Sequence, residues 1–333
     1  MPATLDTVLG QATALETLRR ALATGRTHHA YLFDGPEGVG KERAAFGLAQ
    51  CLVCERPSAG LACGSCSACG RAVPAEPGGL PLHPDIAVLG RGLYEPAQIG
   101  RKTPESREIS IDQVRTIVLS RAAFPPHEGR ARVFIVRAAD ELGVSAANAL
   151  LKTLEEPHRA TTFVLLTARK GSLLSTIRSR ALALRFGALP LAVVAEVLVA
   201  GGLAPEAAAR AAADSGGSVA RARELADAEI SAALDGFIGR VRAAIDAPSA
   251  SEAYALAEDG KKGKAELPLL LGGLALAFAR DAREAARGRG AASPEVHAGR
   301  YDLAMRAMKQ LHANGSTQLV MESLLLGLRA SAR

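Results

Sequence analysis

A strand, a glycine-rich loop and a helix follow one another between residues 30 and 53, and few folds accept that succession. The apolar run Ala30-Tyr31-Leu32-Phe33 leads into Gly35-Pro36-Glu37-Gly38-Val39-Gly40-Lys41, and an alanine-rich helical stretch follows from Glu42 to about Leu52. This is the setting of a phosphate-binding loop. Consecutive backbone N–H groups and a helix N-terminus surround phosphate oxygens, while a lysine reaches the β and γ phosphates. Gly35, Gly38, Gly40 and Lys41 supply that half of the pattern. The next position, where a Ser or Thr hydroxyl would bind Mg²⁺, is Glu42. We therefore expect an inherited nucleotide-binding fold whose loop is poorly suited to tight ATP or ADP binding.

The partner acidic element is altered too. A hydrolysing phosphate-loop protein needs a carboxylate at the end of the next core strand to hold the metal. Here the apolar run Val133-Phe134-Ile135-Val136 meets Arg137-Ala138-Ala139, and Asp140-Glu141 arrive three and four residues late. A cation at the metal position argues against hydrolysis.

All five cysteines lie between Cys51 and Cys69, spaced Cys51-x2-Cys54-x8-Cys63-x2-Cys66-x2-Cys69. In a reducing compartment this spacing predicts a structural Zn²⁺, because tetrahedral zinc needs four thiolates gathered by short turns. Gly60, Gly64 and Ser65 provide turn residues. An iron–sulfur cluster fits less well, since no fourth cysteine follows Cys69 at the required distance. Spacing leaves open which cysteine is spare, although Cys51 continues the helical pattern of Ala45, Phe46, Leu48, Ala49 and Leu52.

Strands alternating with helical segments up to about Phe186 predict an α/β unit with a parallel sheet. The strands fall at 30–33, 133–136 and 162–167, and helices at about 11–24, 42–52, 111–122 and 145–154, with a short one ending near Ser179; Ile86 to Leu89 is a short apolar segment within the stretch described next. Residues 70–108 read as an irregular excursion. Beyond Pro190 only helical spacing remains, at 191–200, 205–213, 218–228, 230–244, 251–257, 267–287, 293–313 and 317–328. The longest uncharged stretch suggestive of a membrane, Leu267 to Ala279, has 13 residues, too few to span a bilayer. No charged-then-apolar leader opens the chain, so a cytoplasmic location is expected. The net charge of +6 permits an anionic partner without requiring one, and 4% aromatic content with no Trp disfavours base stacking on aromatic platforms.

At these residues the chain resembles the bacterial clamp-loader AAA+ family of DNA polymerase III, and within it the delta-prime branch. The resemblance rests on Val8-Leu9-Gly10-Gln11, His29 to Phe33, the cysteine group, His83-Pro84-Asp85, Ile111 to Arg115, the run from Asn148 to Pro157, and Ile177-Arg178-Ser179-Arg180. It implies an AAA+ phosphate-loop domain over 1–187 with an inserted zinc knuckle at 51–69, a small helical lid over 188–232, and an all-α collar over 233–333. By the same resemblance the zinc ligands are Cys54, Cys63, Cys66 and Cys69. Thr167 takes the position of the polar sensor of the γ-phosphate, and Arg180 that of an arginine finger acting on a neighbouring ATP site. The second sensor arginine falls on Ala220, with Arg221 beside it.

The implied role is a non-hydrolysing subunit of a hetero-pentamer with gamma/tau and delta subunits, which opens the sliding clamp and loads it on primed DNA. Helical apolar positions such as Leu269, Met305, Leu319 and Leu324 would partly face other subunits. The competing readings are an active AAA+ ATPase, disfavoured by Glu42 and Arg137-Ala138, and a small-molecule kinase, which leaves the cysteine group and helical tail unexplained. For Arg180 alone, the alternative is an ordinary ion pair.

Overall fold

The computed structural model describes residues 4–76, 78–103, 108–158, 160–259, 266–289, 292–312 and 315–331. It divides into two compact units, Met1–Val193 and Val194–Arg333.

The first unit is built on five parallel strands: β1 (Ala30–Asp34), β2 (Ile86–Leu89), β3 (Arg132–Val136), β4 (Thr161–Thr167) and β5 (Leu182–Arg185), in the order β2-β3-β4-β1-β5. β2, β3 and β4 are buried along their whole length, and β1 from Ala30 to Phe33. This is why they read as continuous apolar runs rather than alternating ones. Phe134 on β3 stacks on Phe163 on β4 with ring centroids 5.1 Å apart.

Helices α1 (Ala12–Ala23), α2 (Lys41–Val53) and α3 (Ser67–Ala72) come from the first part of the chain. α4 (Ile111–Gln113) continues through π-helical Val114–Leu119 into α5 (Ser120–Ala122), and α6 (Val144–Glu155) and α7 (Ser175–Arg178) follow. The expected helix over 111–122 thus holds a π-helical stretch that amphipathic spacing did not signal. β2, read only as a short apolar segment within the irregular excursion, was not foreseen as a strand, and neither was β5. Only Leu184 of the four residues of β5 is buried, so this edge strand lacks the apolar run by which β1, β3 and β4 are recognised.

The register sets the site. Asp34 at the end of β1 pairs with Thr167 at the end of β4, and Val136 at the end of β3 pairs with Leu165. The residues that follow β1, β3 and β4 therefore gather at one carboxyl edge of the sheet, where ligands of open parallel sheets bind.

The second unit holds the remaining helices: α8 (Leu191–Ala200), whose first turn lies in the first unit, α9 (Pro205–Ala213), α10 (Val219–Leu225), α11 (Ala228–Asp246), α12 (Ser251–Asp259), α13 (Leu267–Ala286), α14 (Pro294–His312) and α15 (Thr317–Ala330). Residues 313–314, which include the expected end of the 293–313 helix, lie outside the described residues, as do 104–107 of the expected excursion. A core of Phe237, Val241, Leu271, Leu274, Phe278, Met321 and Leu325 joins α11, α13 and α15. Among the described residues no helix is long and apolar enough to cross a membrane.

Candidate functional site: a phosphate loop closed by an ion pair, and a four-thiol cluster

The loop after β1 is fixed by packing as well as by its glycines. A Cβ on Gly35 would stand 2.0 Å from the carbonyl oxygen of Phe186, so only glycine fits there. Gly38 and Gly40 adopt φ of 70° and 96°, the left-handed region that glycine enters at least cost. Gln11, only 5% exposed, holds the loop from the side. Its amide donates to the carbonyls of Val39 at 3.1 Å and Gly187 at 2.8 Å and accepts from the Gly187 N–H at 3.0 Å. This anchoring was not deduced from the sequence, where Gln11 stood only as part of a motif.

Lys41 opens α2 and is 8% exposed. Its ammonium donates to the loop's own carbonyls, Gly35 and Pro36, each at 2.5 Å. Burial holds its pKa below the ordinary lysine value, against the opposing fields of Glu37, Asp140 and Asp34. A buried ammonium that turns back on its own loop is one that a phosphate oxygen could satisfy instead.

The positions that should hold Mg²⁺ are occupied by a salt bridge. The Arg137 guanidinium, directly after β3, meets the Glu42 carboxylate at 2.9 Å through Nε and at 2.7 Å through Nη2. Its Nη1 and Nη2 also donate to the carbonyls of Gly78 and Gly79, at 2.5 and 2.7 Å. These residues do not fit a divalent cation: the carboxylate is engaged, and a guanidinium stands where the second acidic ligand belongs. Asp140 does not take over. It accepts from Thr167 Oγ1 at 2.8 Å and from Arg169 Nε at 2.7 Å. Burial alone would raise the Asp140 pKa, but these two hydrogen bonds and the Arg169 charge bring it below the usual carboxylate value. Glu141 pairs with Arg91 at 3.5 Å. Thr167, 1% exposed, thus has its hydroxyl proton committed to Asp140.

The cysteines come together as the resemblance implied. The sulfurs of Cys54, Cys63, Cys66 and Cys69 all lie within 4.8 Å of one another. Cys54 and Cys66 are 4.0 Å apart, and Cys63 and Cys69 are 3.9 Å apart. Zn–S bonds of 2.3 Å at tetrahedral angles require sulfurs about 3.8 Å apart, so the cluster fits such an ion. Cys54 caps the C-terminus of α2, and Cys66 caps the N-terminus of α3, accepting the Cys69 N–H at 3.4 Å. Backbone N–H groups of Ser65 and Cys66 bring the Cys63 pKa down to about 5. Burial instead pushes the Cys69 thiol up. Cys51 stands outside the cluster on α2, 1% exposed, with its pKa pushed up to about 11 by burial.

Arg180 lies elsewhere on the first unit, just after α7. Its Nη2 contacts Glu155 Oε1 at 2.6 Å, and its Nη1 donates to Thr176 O at 2.9 Å and Ser179 Oγ at 3.2 Å. Its side chain keeps 34% exposure beside a cleft of about 430 Å³ that also takes in His28, His29 and Leu182. In the second unit Ala220 and Arg221 sit on α10. Arg221 turns away to α13, donating to Leu269 O at 3.1 Å against Gly272 and Gly273.

Residues 10–190 match the family described as DNA polymerase III, delta subunit. The chain is 39% identical over 152 residues to the DNA polymerase III subunit delta' of Pseudomonas aeruginosa, covering 46% of this chain and 41% of that one. It is 32% identical over 217 residues to subunit delta' of Bacillus subtilis, covering 65% and 59%, and 34% identical over 189 residues to subunit gamma/tau of Mycobacterium tuberculosis, covering 57% and 29%. These matches span less than two thirds of the length of each relative. A gamma subunit-related protein from Thermotoga maritima is 18% identical with a TM-score of 0.47, covering 96% of this chain and 99% of that one. With the matched family extending over more than half of its residues, the chain belongs to the clamp-loader family described as DNA polymerase III, delta subunit.

Proposed function

We propose that this chain is a non-hydrolysing, delta-prime-type subunit of a DNA polymerase III clamp loader. In this reading residues 1–187 form an AAA+ domain, 188–232 a lid and 233–333 a collar. The collar assembles with gamma/tau and delta subunits into a hetero-pentamer that places the sliding clamp on primed DNA. Zn²⁺ held by Cys54, Cys63, Cys66 and Cys69 is structural, tying the end of α2 to α3. The observation that carries the reading is the Glu42–Arg137 salt bridge, which supplants both metal-binding positions and leaves no carboxylate to orient water.

Such a subunit contributes to catalysis through Arg180, which acts on the ATP site of a neighbour. A guanidinium aimed across an interface at a γ-phosphate stabilises transition-state charge and is worth roughly 10³ to 10⁵ in rate where it has been measured in other systems. In the free chain Arg180 rests on Glu155, and a partly exposed ion pair of this kind contributes about 1 kcal/mol or less. Transfer of the guanidinium to a phosphate therefore has little to overcome.

The purified chain should show no ATP turnover. Turnover that disappears with Lys41→Ala would refute the non-hydrolysing reading. A loader reconstituted with Arg180→Ala should assemble and melt normally, yet lose part of its clamp- and DNA-stimulated turnover, because only one of several sites loses its finger. Full turnover and loading would remove Arg180 from the mechanism.

A further inference from the structure

In a conventional phosphate loop a divalent cation sits between a hydroxyl next to the lysine and a carboxylate at the adjacent strand end, where it offsets phosphate charge. The same two chain positions meet here as Glu42 and Arg137, and the guanidinium is enclosed by oxygen: the Glu42 carboxylate and the carbonyls of Gly78 and Gly79. Carboxylates and carbonyls are the ligands that hard cations take. The Arg137 guanidinium is held from two stretches of chain, at Glu42 and at Gly78-Gly79, and its side chain is only 15% exposed.

We propose that Arg137 is the resident cation of this site, standing in for Mg²⁺, and that the loop accordingly takes a nucleoside diphosphate in its metal-free form. The rest of the phosphate cradle is present. Gly38 and Gly40 keep the loop geometry, the 13-residue α2 begins at Lys41, and the Lys41 ammonium is buried on loop carbonyls that a phosphate would replace.

Charge sets the direction of the metal effect. A metal-bearing site with its lysine, cation and one strand-end carboxylate carries a net charge of about +2, all of it dependent on Mg²⁺. Here Lys41, Arg137 and Glu42 sum to +1 with no metal. A metal-chelated nucleotide would bring a second cation against the guanidinium in a part-buried site, where like charges within a few ångströms repel strongly. Magnesium, which tightens nucleotide binding in conventional loops, should weaken it here.

The inference rests on the phosphate-loop part of the proposed function but is independent of hydrolysis, Arg180 and assembly. The test is a titration of the full chain with a fluorescent ADP analogue, in EDTA and in millimolar Mg²⁺. Saturable binding is expected in EDTA, weakened about tenfold by Mg²⁺ as like-charge repulsion requires. Arg137→Asp should reverse the sign, so that Mg²⁺ tightens binding. Arg137→Gln, which keeps hydrogen-bonding capacity for the Gly78 and Gly79 carbonyls, should abolish the magnesium penalty and covers the case in which the aspartate variant does not fold. Lys41→Ala should remove binding in both buffers. Tighter wild-type binding in Mg²⁺, equal binding in the two buffers, or no saturable binding in EDTA would each overturn the inference while leaving a non-hydrolysing subunit intact. ATP turnover would instead strike at the proposed function.

Discussion

Asp85 is the residue whose loss should be felt furthest through the first unit. Its side chain is fully buried, and all its acceptor capacity is in use. Oδ1 accepts from the His127 N–H at 2.5 Å and from Arg132 Nη2 at 3.1 Å, and Oδ2 accepts from the N–H groups of Glu128 at 2.8 Å and Gly129 at 2.7 Å. The turn held this way carries Glu128, which contacts Arg71 at 2.5 Å, and Arg71 belongs to α3 together with Cys69. Asp85→Asn puts an NH₂ where one of these oxygens stands, removing two hydrogen bonds and setting donor against donor. It also strips the counter-charge from Arg132, which is 7% exposed.

Hydrogen bonds to charged groups contribute about 1.5–3 kcal/mol each, and breaking a buried ion pair costs about 3–5 kcal/mol. We expect a loss of about 3 kcal/mol, near the lower bound, because Arg132 retains the carbonyls of Arg121 and Phe124. Urea unfolding followed by circular dichroism should show a lower midpoint with an unchanged slope. Removal of zinc by chelator should also become faster.

The pH dependence has a definite sign. Burial would raise the Asp85 pKa, but the three N–H donors and Arg132 outweigh it and leave it below the ordinary carboxylate value. The stabilisation is therefore complete above the unfolded carboxyl pKa of about 4 and is lost as pH falls through the lower folded value. The gap between wild type and variant should narrow at acid pH. A loss below about 1 kcal/mol at neutral pH, the size of a single neutral hydrogen bond, would refute this account of the Asp85 network.

Elemental analysis of protein purified without chelator should find one zinc per chain. Cys63→Ser should lower metal content and stability together, and Cys51→Ser should leave metal content unchanged, since a structural zinc couples ligation to folding. Gly35→Ala should destabilise the first unit by about 1–3 kcal/mol or more in thermal melts, because the new methyl meets the Phe186 backbone rather than a mobile side chain. Glu155→Gln should change the melting stability of the free chain by no more than about 1 kcal/mol. In a reconstituted loader it should maintain or raise stimulated turnover, whereas a marked fall would mean that Glu155 orients Arg180 rather than merely holding it at rest.

Local chemistry was legible before any coordinates. The phosphate loop, a metal-type cysteine group between Cys51 and Cys69 and nearly every helix of the second unit follow from turn residues, ligand spacing and a 3.6-residue period, all of which act over a few residues to a few turns, while the choice of four cysteines among the five does not. Glu42 and Arg137 could each be recognised as a substitution at a metal-binding position, but not as partners. They are 95 residues apart, and they meet because β4 lies between β3 and β1 and brings the ends of all three to one edge. The same edge joins Thr167 to Asp140 across 27 residues, and the folded turn at 127–129 reaches Asp85 across more than 40. Such pairings depend on strand order, which no local pattern encodes. Their strength depends on burial, which is decided only when the sheet is covered on both faces.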